Sequence, residues 1–296
     1  MFKNARLRGS SLIEVSSLLS VLALAAGLLV PAASTVTTES RRLRSVENLR
    51  KIGERSFIWS GGREDGIIHP QSTGGETDFL GLGPWDWGGS NGSCVSYGST
   101  GPFAQETRPL TIVGPAGRSL ISTESSSVFH APADRGQVPN TIYGGPGPDA
   151  LTSMALCTGT SYQGDFIWFF NGGGLRFGTF MRPHNLIPVP AETTLFYEAR
   201  FAQAFIASQE FVDGGGFGGG TPVTVPGWYG DKSKFCVLFA DQSVRTIRVN
   251  QSGDMFPIDS FDPVKFPNRS VMARGPGWRI DCFPAPFIQE HIVGNP

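Results

Sequence analysis

The stretch GSSLIEVSSLLSVLALAAGLLVPAAS, residues 9–34, contains a single charged side chain, Glu14. A helix from Leu12 to Ala33 would extend about 33 Å at ~1.5 Å per residue, enough to cross a hydrocarbon core of about 30 Å. The preceding segment MFKNARLRG is basic and has no acidic residue. The pattern therefore predicts a basic segment over residues 1–9 followed by a transmembrane helix over residues 10–33.

Glu14 is the unusual feature of this apolar run, because a charge at the centre of a membrane helix costs roughly 2.5–3.5 kcal/mol even on insertion scales. A helix that served only as a membrane anchor would gain no stability from such a carboxylate. The position therefore suggests a partner that brings a positive group to the same depth, since two opposite charges buried together cost less than either alone.

Gly9-Ser10-Ser11-Leu12-Ile13-Glu14 resembles the cleavage and N-methylation motif of type IV pilin-like proteins. The resemblance implies that residues 1–9 are a leader peptide, that prepilin peptidase cuts after Gly9 and that the new N-terminal residue, Ser10, is methylated. Ser10 stands where Phe or Met is usual. It implies that Glu14 meets the N-terminal amine of a neighbouring subunit during assembly. Pro31 falls where pilins often carry a helix-kinking proline.

An ordinary secretory signal peptide is the alternative for this region, with Ala32-Ala33-Ser34 as a small-residue cleavage site. The basic residues do not fix the orientation, because three precede the apolar run and Arg41, Arg42 and Arg44 follow it. The pilin resemblance implies a single-pass protein of the bacterial inner membrane, with its C-terminal domain on the periplasmic side.

Residues 34–60 are predicted to continue the helix in amphipathic form. Val46, Leu49 and Ile52 recur on one face, together with Val36, Leu43 and Phe57, and Gly61-Gly62 ends the helix. The basic residues of this segment fit either contact with anionic lipid headgroups or a solvated face with local ion pairs.

Residues 61–296 are predicted to form a β-rich, loop-rich domain with an antiparallel sheet, so the expected fold class is α+β. The chain has 39 Gly and 22 Pro, and its short β-branched and aromatic runs are bounded by turn residues. Phe235–Ala240 and Val244–Val249 form the clearest hairpin. Further strands are predicted at 110–113, 165–170, 175–181 and 194–197.

Four segments resemble a subclass of pilin-like proteins that carries a His-x9-Asp-Gly signature. They are Asn48–Gly53, Val128–Asp134, Thr160-Ser161-Tyr162 followed by Phe166–Phe170, and Phe239-Ala240-Asp241-Gln242-Ser243-Val244. The signature is degenerate here: Gln242 replaces the Gly, and Asp231 stands where His is expected. In the second segment, Ala131 replaces a Cys.

The four cysteines, Cys94, Cys157, Cys236 and Cys282, permit two disulfides in an exported protein, or they are buried free thiols. No pair has the C-x-x-C spacing of a metal or redox site. The four histidines are isolated from one another, and neither a nucleophile elbow nor a phosphate loop occurs. The net charge of −1 gives no indication of nucleic-acid binding.

The sequence as a whole predicts a non-enzymatic, pseudopilin-like structural subunit of a cell-envelope or type II secretion-type assembly, without metal or cofactor. Its expected partners are prepilin peptidase, like or homologous pilin-like subunits, and membrane lipid. One alternative is an exported binding protein that recognises glycans or envelope polymers through Trp85, Trp87 and Trp228 in Gly-rich loops. A weaker alternative is a hydrolase whose site has no recognisable motif.

Overall fold

The protein has an α+β architecture in which a long N-terminal helix precedes an antiparallel sheet. The structure, a computed structural model, describes residues 12–62, 66, 87–90, 92, 108–112, 127–136, 153–165, 179, 183–187, 189–206, 225–230, 234–249, 255–258, 270–275 and 277–279. The chain divides into two compact units, Met1–Ser40 and Arg41–Pro296.

Helix α1 covers Leu12–Gly61, and Pro31 lies within it. Its end agrees with the prediction, since Gly62 N donates to the carbonyl oxygens of Ile58 and Trp59 at 3.2 and 3.3 Å.

The main sheet has four antiparallel strands in the order β1-β2-β3-β4. Their bounds are Tyr162–Gly164, Thr194–Glu198, Lys234–Phe239 and Val244–Arg248. The predicted hairpin is confirmed, because β3 and β4 pair from Lys234↔Arg248 to Leu238↔Val244. The strand predicted at 194–197 is also confirmed as β2.

Both faces of this sheet are covered within the second unit. Alternate residues of β3 belong to two different clusters: Cys236 and Leu238 lie with Leu49 and Ile52 of α1, whereas Phe235, Val237 and Phe239 lie in the second cluster. The period of two follows from the pleat of the strand. Burial on both faces explains why β3 is almost continuously apolar.

In the described part of the chain, three further α-helices are short. They are α2, Pro109–Ile112; α3, Met154–Thr158; and α4, Ala199–Ile206. Phe201 of α4 packs between Tyr197 and Trp278, at ring-centroid distances of 4.9 and 5.0 Å. A second sheet contains β5, Met255–Ile258; β6, Ser270–Gly275; and β7, Trp278–Arg279.

One predicted strand, at 110–113, is wrong, because Pro109–Ile112 forms α2 instead. Proline suits the first turn of a helix, and Arg108, the residue before it, donates to Gly88 O and Thr158 O at 2.9 and 2.8 Å. Asp165 is not in a strand, and residues 166–170 lie outside the described part of the chain. Residues 175–181, another predicted strand, also lie outside the described part of the chain, except for Thr179.

Candidate functional site

The first half of α1 exposes its apolar side chains. Leu12 is 88% exposed, Leu24 is 70% exposed and Leu29 is 67% exposed. By length and composition, α1 is the one helix among the described residues that could cross a membrane. Glu14 lies in its first turn, at the end of the apolar surface.

The other predicted processing residues are placed only in part. Gly9 and Ser10 lie outside the described residues. Pro31 lies within α1, and its role as a kink stays a prediction. The assembly role of Glu14 likewise stays a prediction.

The cysteines differ from one another in state. Cys157 is disulfide-bonded, whereas Cys236 is a free thiol with no exposed surface. The prediction of a possible disulfide at Cys236 is therefore wrong. Cys236 lies in the central strand β3 and faces α1. Cys94 and Cys282 lie outside the described part of the chain.

The second half of α1 buries a stripe that is largely polar. The buried residues recur at helical spacing on one face, and they are Ser45, Asn48, Leu49, Ile52, Gly53, Ser56 and Ser60. The predicted apolar face was therefore only partly right: Leu49 and Ile52 have no exposed surface, but Val36 and Leu43 are 69% and 56% exposed.

A chain of buried hydrogen bonds begins at Ser45 and Asn48 of α1 and ends at Glu198. Ser45 Oγ donates to Glu198 Oε1 at 2.7 Å, and the Cys236 N–H donates to Oε2 at 3.0 Å. When Glu198 is ionised, the single Ser45 proton is donated to it, so the Tyr162 hydroxyl, at 2.9 Å, donates to Ser45. Asn48 Nδ2 donates to His130 O at 2.9 Å, and it also reaches the Tyr162 hydroxyl at 3.4 Å. We call Ser45, Asn48, Tyr162, Glu198 and Cys236 the carboxylate cluster.

The electrostatics of the carboxylate cluster favour a neutral Glu198. Burial raises the pKa of Glu198 to about 7, and the hydrogen bonds from the Cys236 N–H and Ser45 only partly oppose this effect. Burial, reinforced by the Glu198 carboxylate, raises the pKa values of Tyr162 and Cys236 as well. The cluster thus joins α1 to β1, β2 and β3 through groups that are uncharged at mildly acidic pH.

A second polar site gives a structural role to the Val128–Asp134 segment. Asp134 Oδ1 accepts from the N–H groups of Gly136 and Met154, at 2.8 and 3.0 Å. Its Oδ2 accepts from the Ala155 N–H at 2.9 Å and from Ser161 Oγ at 2.6 Å. Asp134 therefore ties the start of α3 to the residue that precedes Tyr162, and its four acceptor positions are occupied by structural contacts.

The hairpin turn approaches α1 closely. Gln242, where the resembling family has Gly, retains a left-handed backbone with φ of 70°. A Cβ at Gly53 would lie 2.5 Å from Gln242 Oε1 and 3.1 Å from Leu238 Cδ2. Gly53 thus permits the turn to lie against the helix, and the segments of the degenerate signature meet on the second half of α1.

The described residues contain no group of three or more His, Cys, Asp or Glu side chains that could hold a metal ion. His130 Nε2 lies 3.5 Å from Ser90 Oγ, and burial lowers the pKa of His130. However, Asp134, the nearby carboxylate, is already held by its four donors.

The aromatic residues considered for glycan binding lie in the core where they are described. Trp87 is 1% exposed and packs edge-on against Phe196 with ring centroids 5.5 Å apart. Trp228 is 3% exposed and donates from Nε1 to Gly136 O at 3.3 Å. Neither side chain can present a surface to a sugar, and Trp85 lies outside the described residues.

No family model, curated protein or solved structure matches the chain. The arrangement of an apolar N-terminal helix followed by a small antiparallel sheet is compatible with a pilin-like fold.

The sequence did not point to Glu198 or Ser45. Glu198 ends an apolar strand, where an acidic residue ordinarily marks a solvent-facing turn. Ser45 could have been noticed from its spacing, since it precedes Leu49 by four residues and Ile52 by seven, on the same helical face.

Proposed function

We propose that this protein is a membrane-anchored, pilin-like subunit that assembles with like or homologous subunits in the bacterial cell envelope. Residues 10–33 anchor it, and prepilin peptidase removes residues 1–9. The domain that follows lies on the periplasmic side. The protein acts by assembly, in a pseudopilus-type or related structure.

One observation carries the proposal: the two halves of α1 have opposite environments. The first half exposes a lipid-length apolar surface and has Glu14 in its first turn. The second half is packed against an antiparallel sheet. A helix that is apolar around its circumference is suited to a membrane or to other such helices.

The disulfide at Cys157 supports the periplasmic placement of the second unit. Disulfides persist in oxidising compartments and are rare in the cytoplasm. This support is independent of the charge distribution around the apolar run.

N-terminal sequencing of the protein isolated from membranes tests the processing step. The expected first residue is Ser10. A start near Thr35 would mean that a signal peptidase removed the anchor, and the proposal would then be abandoned.

Substituting Glu14→Ala tests the assembly step. The variant should stay in the membrane but lose crosslinks to neighbouring subunits, because the buried amine of the neighbour no longer has a carboxylate partner. Glu39→Ala, which removes an exposed carboxylate from the same helix, is the matched control and should keep the crosslinks. Equal crosslinking in the Glu14 variant would contradict the assembly role.

A further inference from the structure

Glu198 is a fully buried carboxyl group on the face of the sheet that the second half of α1 covers. Among the described residues it forms no ion pair. When ionised, it accepts hydrogen bonds from Ser45 Oγ and from the Cys236 N–H, and neither donor carries a charge. Two neutral donors replace only part of the hydration that a carboxylate has in water. Ionisation of Glu198 therefore favours any conformation in which water reaches the carboxylate.

The sheet side of the carboxylate cluster is held by backbone hydrogen bonds, and the helix side is held by side chains. Strand β2, which ends at Glu198, is paired with β1 on one side and with β3 on the other. Residues 41–61 of α1 meet these strands through the hydrogen bond of Ser45 and the packing of Leu49 and Ile52. Water therefore reaches Glu198 at a smaller cost in backbone hydrogen bonds when the helix moves than when a strand moves.

We propose that the carboxylate cluster is a pH-sensitive clasp between residues 41–61 of α1 and the sheet. The clasp is closed while Glu198 is protonated. Ionisation raises the population of molecules in which this part of the helix has left the strands, while the strands stay paired. Because burial raises the pKa of Glu198 to about 7, the change falls near neutral pH. The clasp lies within the second unit and does not depend on the proposed anchor.

The other titratable groups around Glu198 are uncharged near neutral pH. Burial, followed by the Glu198 charge, raises the pKa values of Tyr162, Tyr229 and Cys236, so all three stay protonated. Burial lowers the pKa of His130, whose carbonyl oxygen accepts from Asn48, so its ring is largely neutral at pH 6.5 and above. Glu198 is therefore the member of the cluster that titrates in this range.

Two cations flank the cluster. Arg42 of α1 donates to Thr246 Oγ1, and its charge opposes part of the effect of burial on the pKa of Cys236. Arg200 of α4 donates to backbone carbonyl oxygens, and its attraction to Glu198 favours the ionised carboxylate. Burial outweighs this attraction, since the pKa of Glu198 is raised.

The free thiol of Cys236 can report on the clasp, because it is fully buried and faces α1. A second thiol, introduced as Val249→Cys, reports on the other face of the sheet, where Val249 is buried in the second core cluster. Arg245 and Arg248 separate the two thiols into different tryptic peptides. The full-length protein in detergent is labelled with iodoacetamide at pH 6 and pH 8, and mass spectrometry gives the rate at each thiol.

Dividing each rate by that of the same thiol in urea-unfolded protein at the same pH gives an opening constant that is free of the change in thiolate fraction. The constant for Cys236 should rise about ten-fold from pH 6 to pH 8, as linkage requires for a carboxyl with a pKa of about 7 when buried and 4.5 when hydrated. At pH 8 it should exceed the constant for Val249→Cys by more than about ten-fold, because release of the helix costs less than unfolding.

Glu198→Gln should abolish the rise at Cys236, because the amide does not ionise. Glu192→Gln removes an exposed carboxylate just before β2 and is the matched control, which should keep the rise. Near-UV circular dichroism should show that both variants are folded.

Three results would overturn the clasp. An unchanged opening constant for Cys236 between pH 6 and pH 8 would show that the helix does not respond, and this result needs no variant at Glu198. Equal constants for the two thiols at pH 8 would show that Cys236 is exposed by unfolding of the whole unit. A rise that persists in Glu198→Gln would assign the response to another group.

Discussion

The two halves of α1 differ in which side chains they bury. In residues 12–29 the large apolar side chains are exposed, as Leu22 illustrates at 56%. In residues 41–61 the buried stripe includes Ser45, Asn48, Ser56 and Ser60, while Leu43 is exposed.

The difference teaches that each half is adapted to a different surrounding. The first half suits a medium in which apolar side chains need no cover and every backbone group is satisfied within the helix. The second half meets strands that carry a buried carboxylate, so its inner face must supply hydrogen-bond donors. Helical periodicity is the same in both halves, but the chemistry of the contacting surface is not.

The largest expected effect comes from truncating one leucine in each half. Leu49→Ala should reduce the free energy of unfolding of the second unit by about 2–5 kcal/mol, because the side chain is fully buried. Leu22→Ala, at an exposed position, should change it by less than about 0.5 kcal/mol. Urea unfolding in detergent, followed by near-UV circular dichroism, measures both. Similar values for the two variants would remove the contrast between the halves.

The next effect concerns pH and sharpens the role of the carboxylate cluster. The pKa of Glu198 is about 7 in the folded protein and near its ordinary value of 4.5 when unfolded. A raised folded-state pKa gives stability that is complete below pH 4.5 and is lost as pH rises through 7. The loss should approach about 3 kcal/mol by pH 8. Unfolding free energies at pH 5 and pH 8 measure it.

The control for this prediction is Glu198→Gln, which should flatten the pH dependence. Burial lowers the pKa of His130 and so acts in the opposite direction below pH 6.5; the difference between wild type and variant is therefore the quantity to compare. Ser45→Ala should cost about 1–3 kcal/mol at pH 8 and less at pH 5, because the ionised carboxylate needs the donor more. Parallel pH profiles for wild type and Glu198→Gln would show that Glu198 does not govern the response.

The smallest effect tests the hairpin turn that contacts Gly53. Gln242→Gly should stabilise the second unit by about 1 kcal/mol, because φ of 70° is unfavourable for a side chain and not for glycine. The matched comparison is Gly230→Ala at φ of 81°, with open space around it, which should destabilise by a similar amount. Thermal unfolding measures both. Destabilisation by Gln242→Gly would mean that the Gln242 side chain stabilises the contact with α1 by more than its backbone strain costs.

Several elements could be predicted because their evidence is local. The bounds of α1 follow from a long apolar run and from Gly61-Gly62, and the β3–β4 hairpin follows from an apolar strand and a partly amphipathic strand on either side of Asp241. The helix Pro109–Ile112 could not be distinguished from a strand, because its backbone is held by Arg108, which bonds to residues far away in sequence. Strand β1 is three residues long and forms by pairing with β2.

By itself, the sequence determined the lipid-length apolar helix and the single carboxylate in its first turn. Both features follow from the identities of consecutive residues, so they do not depend on contacts with distant parts of the chain. Only the tertiary structure decided that Ser45 is buried and that Glu198 is neutral at mildly acidic pH. Ser45 reaches Tyr162 across 117 residues and Glu198 across 153, so its environment exists only when strands from distant parts of the chain are brought against the helix.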